Sequence, residues 1–149
     1  MNLLRKFASR SGAEQWLLLR ATLALLTTAG CVRFLPFRLW RSLIAPADAL
    51  SGSTPPSRHS AEQIAWAVAA VGRCVPGASC LPQAIAGYRL LRRAGYAARL
   101  RIGIAAGAQA PFEAHAWLEL DGRILLGGTE SAARYAALPL DLAGTGNSS

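Results

Sequence analysis

Charged residues are scarce in this sequence, and acidic ones are scarcer than basic ones. Charged side chains make up 16% of the 149 residues, against 52% for hydrophobic ones, which excludes a chain too polar to bury a core. Lysine is nearly absent: the 16 basic residues are 15 arginines and Lys6. With 8 acidic residues, the net charge is +8. This excess suits an acidic partner, nucleic acid or a membrane surface. The length allows one domain with an appendage.

Cysteine and histidine are also few. The three cysteines are an odd number, and the first residues lack the pattern of a secretory signal, so we expect no disulfide framework and a cytoplasmic location. Cys74 and Cys80 are separated by five residues, and His59 and His115 are the two histidines. This arrangement does not match a zinc site. We expect neither a metal ion nor a cofactor.

Long apolar runs without charge are missing as well. The run from Ala21 to Val32 holds 12 residues between Arg20 and Arg33, whereas a spanning helix needs roughly 20. We therefore expect a buried or interfacial helix, whose contact with a partner protein or a membrane stays open. The arginines follow helical patterns and are not clustered with aromatic residues, so we expect no nucleic-acid binding.

Two capping boxes mark the beginnings of helices. The tetrapeptide SGAE from Ser11 precedes a long apolar run and predicts a helix over about residues 12–29. A short amphipathic segment after Pro36 would complete a helical hairpin. The tetrapeptide SAEQ from Ser60 predicts another helix, which ends near Gly72.

The second half of the chain changes from helical to strand periodicity. A helix beginning near Cys80 keeps an apolar stripe up to Gly95, and from Ala98 apolar residues alternate with others. A second alternating segment leads into the turn Asp121-Gly122 and a returning strand that ends near Leu126. Two helices and three strands predict an α+β core. The predicted divisions are a helical appendage 1–45, a linker 46–59, a core 60–140 and a disordered tail 141–149.

A cysteine at a helix start and a histidine in a later strand are the two groups that a thiol nucleophile needs. The helix start favours the thiolate through its unpaired N–H groups and dipole, and an imidazole beside it takes and returns the proton. Cys80 and His115 fit this pattern. The alternative interpretation is that both are packing residues. Gln83 either contributes its amide to an oxyanion site or lies on a solvated helix face.

Strand alternation assigns His115 to a face of its strand. His115 shares that face with Glu113, Trp117 and Glu119, whereas the alanines and leucines between them point to the other side and predict the core. His115 therefore lies on the less apolar face.

The local sequence around both residues is similar to one known family. Cys80-Leu81-Pro82-Gln83-Ala84, Ala114-His115-Ala116-Trp117-Leu118-Glu119 and the Asp121-Gly122 turn closely resemble the leader peptidases of lasso-peptide biosynthesis, the transglutaminase-like B proteins. The resemblance covers most of the chain. It implies a papain-like or transglutaminase-like core, with a central helix packed on a small antiparallel sheet, preceded by the helical hairpin.

The resemblance also implies a function. The family members are cysteine peptidases that remove the leader from a ribosomally made lasso-peptide precursor, which makes Cys80 the nucleophile and His115 the base. Besides the precursor peptide, the implied partners are a separate leader-recognition protein, because this chain resembles the split form, and as a further candidate the macrolactam-forming cyclase. Two alternatives stay open: a non-catalytic adaptor that binds the precursor or the cyclase, and an acyltransferase that uses the same thioester.

The residue that orients His115 is the least defined part of the site. Family members usually have an Asp on the returning strand about a dozen residues after the His, where this sequence has Leu126-Gly127-Gly128. If the turn is a two-residue turn, His115 lies opposite Gly128, and Glu130 lies two residues further on the same face. Glu130 is therefore the third catalytic candidate. Glu113 and a backbone carbonyl are the alternatives.

Overall fold

The chain forms three helices and a small sheet in the residues that the structure describes. The computed structural model describes residues 10–36, 38–39, 59–105, 113–128 and 135–137. The elements are, in chain order, α1 (Gly12–Phe34), α2 (Ala61–Gly72), α3 (Cys80–Arg93), β1 (Arg99–Ala105), β2 (Glu113–Leu120), β3 (Arg123–Leu126) and β4 (Ala136–Ala137). Helices followed by an antiparallel sheet confirm the α+β class predicted from the sequence.

The first two helices begin at the predicted capping boxes. The Oγ atom of Ser11 accepts a hydrogen bond from the N–H of Glu14 at 3.4 Å, and Ser60 and Gln63 form a complete capping box. α1 continues to Phe34, past the predicted end near residue 29. The last turns of α1 still pack on the core, and tertiary contacts of this kind override a helix-ending glycine in the sequence. The second helix of the predicted hairpin lies largely outside the described residues.

α1 packs against the other two helices. Leu17, Ala21, Leu25 and Thr28 form its buried face, and α1 contacts both α2 and α3. The hydroxyl of Thr28 donates to the carbonyl of the residue four positions before it at 2.6 Å, which satisfies this buried polar group. α1 thus contributes to the core although it was predicted as an appendage. Residues 46–58 of the predicted linker and the predicted tail lie outside the described residues.

The sheet has the strand order β3-β2-β1-β4, and all its pairs are antiparallel. β4 is an addition to the three strands that the sequence predicts. α3 packs on one face of the sheet, where Gly87 faces Leu118 and Leu126. A Cβ atom at Gly87 would lie 2.7 Å from the Cδ1 atom of Leu118, so the glycine allows the close approach of α3 to β2.

The hairpin of β2 and β3 has the predicted turn but a shifted register. Asp121 and Gly122 both have positive φ, at 49° and 77°, as a two-residue turn requires. Leu120 pairs with Arg123 as predicted, but Leu118 pairs with Leu126. An extra residue in β3 therefore forms a bulge, which moves every later pair by one position. The predicted pairing of His115 with Gly128 is wrong for this reason.

Candidate active site

Cys80 is the first residue of α3, and the preceding Ser79 does not cap the helix. The side chain of Ser79 makes no capping hydrogen bond, whereas Ser11 and Ser60 cap α1 and α2. The difference has a chemical cause. Both of those caps bond the N–H group of the third helical residue, and the third residue of α3 is Pro82, which has no N–H group.

The beginning of α3 therefore keeps its backbone donors for another acceptor. The N–H groups of Cys80 and Leu81 have no carbonyl partner within the helix, while the N–H group of Gln83 binds the carbonyl of Ser79 at 3.3 Å. The first turn of α3 contains no acidic residue, although the first turns of α1 and α2 each contain a glutamate. A thiolate or an oxyanion near Cys80 is stabilised by these donors and by the helix dipole.

The corresponding end of α2 shows the same preference for negative charge. A hydrogen bond with its own backbone lowers the pKa of Glu62, the Ser60 side chain and the charge of Arg123 lower it further, and desolvation opposes them. In α2 the anion is a side chain of the helix itself. The first turn of α3 has no such acidic side chain, so its N–H groups remain available to a thiolate or to an oxyanion of a substrate.

Gln83 tethers the turn that leads into α3. Its Nε2 atom donates to the carbonyl of Ala78 at 2.7 Å, and its amide lies so close to Gly72 that a Cβ atom there would be 2.5 Å from Cδ. The amide is thus held between the last residue of α2 and the turn before Cys80. This contact differs from both sequence interpretations, because the amide fixes the turn and is half-buried.

His115 is held by a backbone carbonyl. Its Nε2 atom lies 2.7 Å from the carbonyl oxygen of Gly127. A carbonyl only accepts hydrogen bonds, so Nε2 is the donor in this contact, and Nδ1 takes no part in it. This arrangement matches the alternative in which a backbone carbonyl orients the histidine.

Two aromatic rings enclose the imidazole. The ring of Tyr135 stacks on His115 with a centroid distance of 5.0 Å, and Trp117 stacks at 6.4 Å. Gly103, which pairs with His115 across β1 and β2, makes room for both rings, since a Cβ atom at Gly103 would lie 2.7 Å from atoms of Trp117 and Tyr135. Sequence reasoning missed Gly103, whose position opposite His115 depends on the register of β1 with β2. It also missed Tyr135, whose stacking on His115 depends on the pairing of β4 with β1.

Strand alternation puts His115 on the face of β2 opposite to the residues that pack beneath α3. Ala116 and Leu118 belong to the core cluster beneath α3, and Cys80 packs against that cluster. His115 alternates with these residues and therefore points away from α3. Among the described residues no hydrogen bond joins Cys80 to His115. The pairing of Cys80 with His115 stays a prediction.

The carboxylate of Glu119 is hydrogen-bonded to Trp117 and Arg101. One carboxylate oxygen accepts a hydrogen bond from Nε1 of Trp117 at 2.9 Å, and the other accepts from Nε of Arg101 at 3.2 Å. Glu119 shares the face of His115 as the alternation predicts, and its carboxylate fixes the neighbouring indole. Neither of these hydrogen bonds involves His115.

The two glycines after β3 stand where the family pattern has an acid. Gly127 and Gly128 have φ values of 106° and 88°, a conformation that favours glycine. A Cβ atom at Gly127 would lie 2.5 Å from Cβ of Trp117, so an aspartate there is excluded by strain and by contact. Glu130 and the side chain of Glu113 lie outside the described part of the structure. The candidacy of Glu130 stays a prediction, although the register on which it was based has shifted.

The other two cysteines lie apart from the helix start. Cys31 is half-buried on α1 and packs against the core, in agreement with the predicted packing role. Cys74 is exposed in the turn after α2. Neither has the position at a helix start that distinguishes Cys80.

A family model of the transglutaminase-like superfamily matches residues 24–139. The match covers most of the chain, so the chain belongs to the transglutaminase-like superfamily. This superfamily includes cysteine peptidases and acyltransferases. No curated protein and no solved structure matches the chain significantly. The superfamily assignment agrees with the coarse part of the resemblance predicted from the sequence.

Proposed function

We propose that the protein is a cytoplasmic cysteine peptidase that removes the leader from a lasso-peptide precursor. The observation that carries the proposal is the position of Cys80 at the uncapped start of α3 in a chain of the transglutaminase-like superfamily. The sequence resemblance around Cys80 and His115 supports the finer assignment to lasso-peptide maturation. Membership of the superfamily alone is equally compatible with acyl transfer.

In the proposed reaction the Cys80 thiolate attacks the carbonyl carbon of the peptide bond that joins leader and core peptide. The electron pair of the carbonyl moves to its oxygen, which accepts hydrogen bonds from the N–H groups at the start of α3. The intermediate collapses to a thioester between Cys80 and the leader, and the amine of the core peptide leaves with a proton from His115. Water then attacks the thioester, releases the leader as a carboxylate and restores the thiol.

His115 must reach Cys80 for these proton transfers. In the described conformation its imidazole points away from α3 and Nε2 is bound to Gly127. The proposal therefore requires Nδ1 of His115 to reach the thiol when the precursor is bound. If His115 does not take part, its replacement leaves the rate of thioester formation unchanged.

The proposed partners are the precursor peptide, a separate leader-recognition protein and, as a further candidate, the macrolactam-forming cyclase. The described core consists of two short helices and four strands beside α1. These elements build the candidate site. A dedicated peptide-recognition domain would normally have the size of another small domain, and the described elements do not include one. This supports a split arrangement in which a second protein holds the leader.

The test is a reaction of the protein with precursor and leader-recognition protein, analysed by mass spectrometry. The proposal predicts two products whose masses add up to the precursor plus one water. Cys80→Ala should remove them, and the matched control Cys74→Ala should not. A product that carries an added amine in place of water would favour an acyltransferase. Binding of the precursor without any product would favour an adaptor.

A further inference from the structure

α1 has a second apolar face that no described residue covers. Its inner face is buried on α2 and α3, whereas Trp16, Leu19, Leu23, Leu26 and Phe34 have 45% to 84% of their side-chain surface exposed. We call these five residues the outer stripe. They recur every three or four positions, or a multiple of this spacing, so they follow one side of the helix. The stripe runs for about 27 Å along α1 at the usual helical rise.

Arginines accompany the outer stripe. Arg20 and Arg33 are exposed on the same helix, and Arg10 precedes it. The guanidinium of Arg10 lies 4.5 Å from the ring centroid of Trp66, which is itself 42% exposed. An exposed tryptophan and an arginine therefore stand together beside the start of α1. Tryptophan and arginine are residues that favour the boundary between lipid headgroups and hydrocarbon.

Negative charge is almost absent from α1. Glu14 is the one acidic residue of the helix, and its carboxylate lies 4.0 Å from Arg10. The helix therefore presents apolar side chains with a net positive flank. A second copy of this chain would bring the same arginines and only Glu14, which already lies beside Arg10. An anionic lipid surface supplies both the apolar layer and the opposite charge.

α1 is also long and apolar enough to cross a membrane by length and composition, a weak criterion that core helices and signal sequences also meet. The 12 uncharged residues from Ala21 to Val32 are too few to have predicted a spanning helix. Crossing would require the removal of Leu17, Ala21 and Leu25 from the core, where they are buried. Because the inner face of α1 is buried on the core, only its outer stripe is open to lipid. In this orientation α1 can lie along the membrane surface.

We propose that the outer stripe of α1 docks the protein on an anionic membrane surface, with Trp16, Leu23 and Phe34 inserted among the lipid chains and Arg20 and Arg33 at the headgroups. This inference does not depend on the proposed peptidase activity. It places the protein, and any reaction at Cys80, on the face of a membrane.

The test is binding of the full chain to vesicles, measured by flotation. We expect binding to vesicles that contain phosphatidylglycerol and phosphatidylcholine, and weaker binding to phosphatidylcholine alone. Leu23→Glu should weaken binding by about tenfold or more, because it replaces an apolar side chain that inserts into the lipid by a charge that anionic lipid repels. The matched control is Ala97→Glu, which introduces the same charge at an exposed position outside α1.

A second measurement begins with the wild-type protein, so its first result does not depend on the folding of a variant. The fluorescence of the wild-type protein should shift to shorter wavelength on addition of anionic vesicles and should be quenched by brominated lipid chains. Trp16→Phe should reduce both changes. Four results would contradict the proposal: no binding to anionic vesicles, binding that Leu23→Glu leaves unchanged, self-association without lipid that Leu23→Glu abolishes, and resistance to alkaline extraction, which indicates a spanning helix.

Discussion

The Nε2 atom of His115 lies 2.7 Å from the carbonyl oxygen of Gly127. This contact links the candidate base to the two glycines that replace the acid of the family pattern. Because a carbonyl cannot donate, Nε2 is the donor of this hydrogen bond. If His115 is the catalytic base, the Gly127 carbonyl orients it as a carboxylate or an amide side chain does in catalytic triads.

The first prediction concerns the residue that orients His115. If the Gly127 carbonyl is sufficient, Glu130→Gln and Glu113→Gln each leave the rate of leader cleavage nearly unchanged. If Glu130 orients the imidazole, Glu130→Gln lowers the rate by a factor of ten or more, by analogy with triads whose acid is neutralised. A loss in Glu113→Gln alone would assign the role to Glu113. The measurement is the initial rate of cleavage with each purified variant.

The second prediction concerns the uncapped start of α3. Ser79→Asp places a carboxylate beside Cys80 and should slow alkylation of its thiol by iodoacetamide at neutral pH by about two- to fivefold, because the added charge disfavours the thiolate. Ser11→Asp is the matched control, since it adds the same charge at the cap of α1. Equal rates for Ser79→Asp and the wild type would show that the helix start does not influence the thiol.

The third prediction concerns the space beside His115. Gly103→Ala should lower the free energy of unfolding by about 1–3 kcal/mol, because the new methyl group meets Trp117 and Tyr135. It should also reduce cleavage by displacing the rings that stack on His115. Gly30→Ala is the control, since nothing lies within 4 Å of a Cβ atom there, and it should stabilise α1 by about 0.5–1 kcal/mol. Thermal unfolding of both variants distinguishes these outcomes.

The fourth prediction concerns the leader-recognition partner. The chain alone should cleave full-length precursor slowly, and addition of the partner should raise the rate, because tethering increases the local concentration of the peptide at Cys80. A precursor without its leader-recognition segment should show no such increase. If the isolated chain cleaves as fast as the mixture, the split arrangement is wrong.

Several parts of the fold could be predicted from local sequence. The starts of α1 and α2 follow from serine caps, and the turn at Asp121 and Gly122 follows from a dipeptide that accepts positive φ. The face of His115 follows from strand alternation. Each of these features depends on neighbouring residues, so the sequence contains the necessary information.

Other parts depend on tertiary contacts and could not be predicted. The bulge in β3 shifts the register after two pairs, and no residue type in Arg123–Leu126 indicates it. The stacking of Tyr135 on His115 requires β4 to pair with β1. The missing cap of α3 is an intermediate case, because Pro82 at the third helical position could have indicated it from the sequence alone.

The most direct test of the account is to stop the reaction of protein, precursor and partner during turnover and determine the intact mass of the protein. The account predicts an adduct with the mass of the leader peptide minus one water, attached to Cys80 as a thioester that hydroxylamine removes. Cys80→Ala should carry no adduct and should release no leader. Release of leader by Cys80→Ala at the wild-type rate would contradict the assignment of Cys80 as the nucleophile.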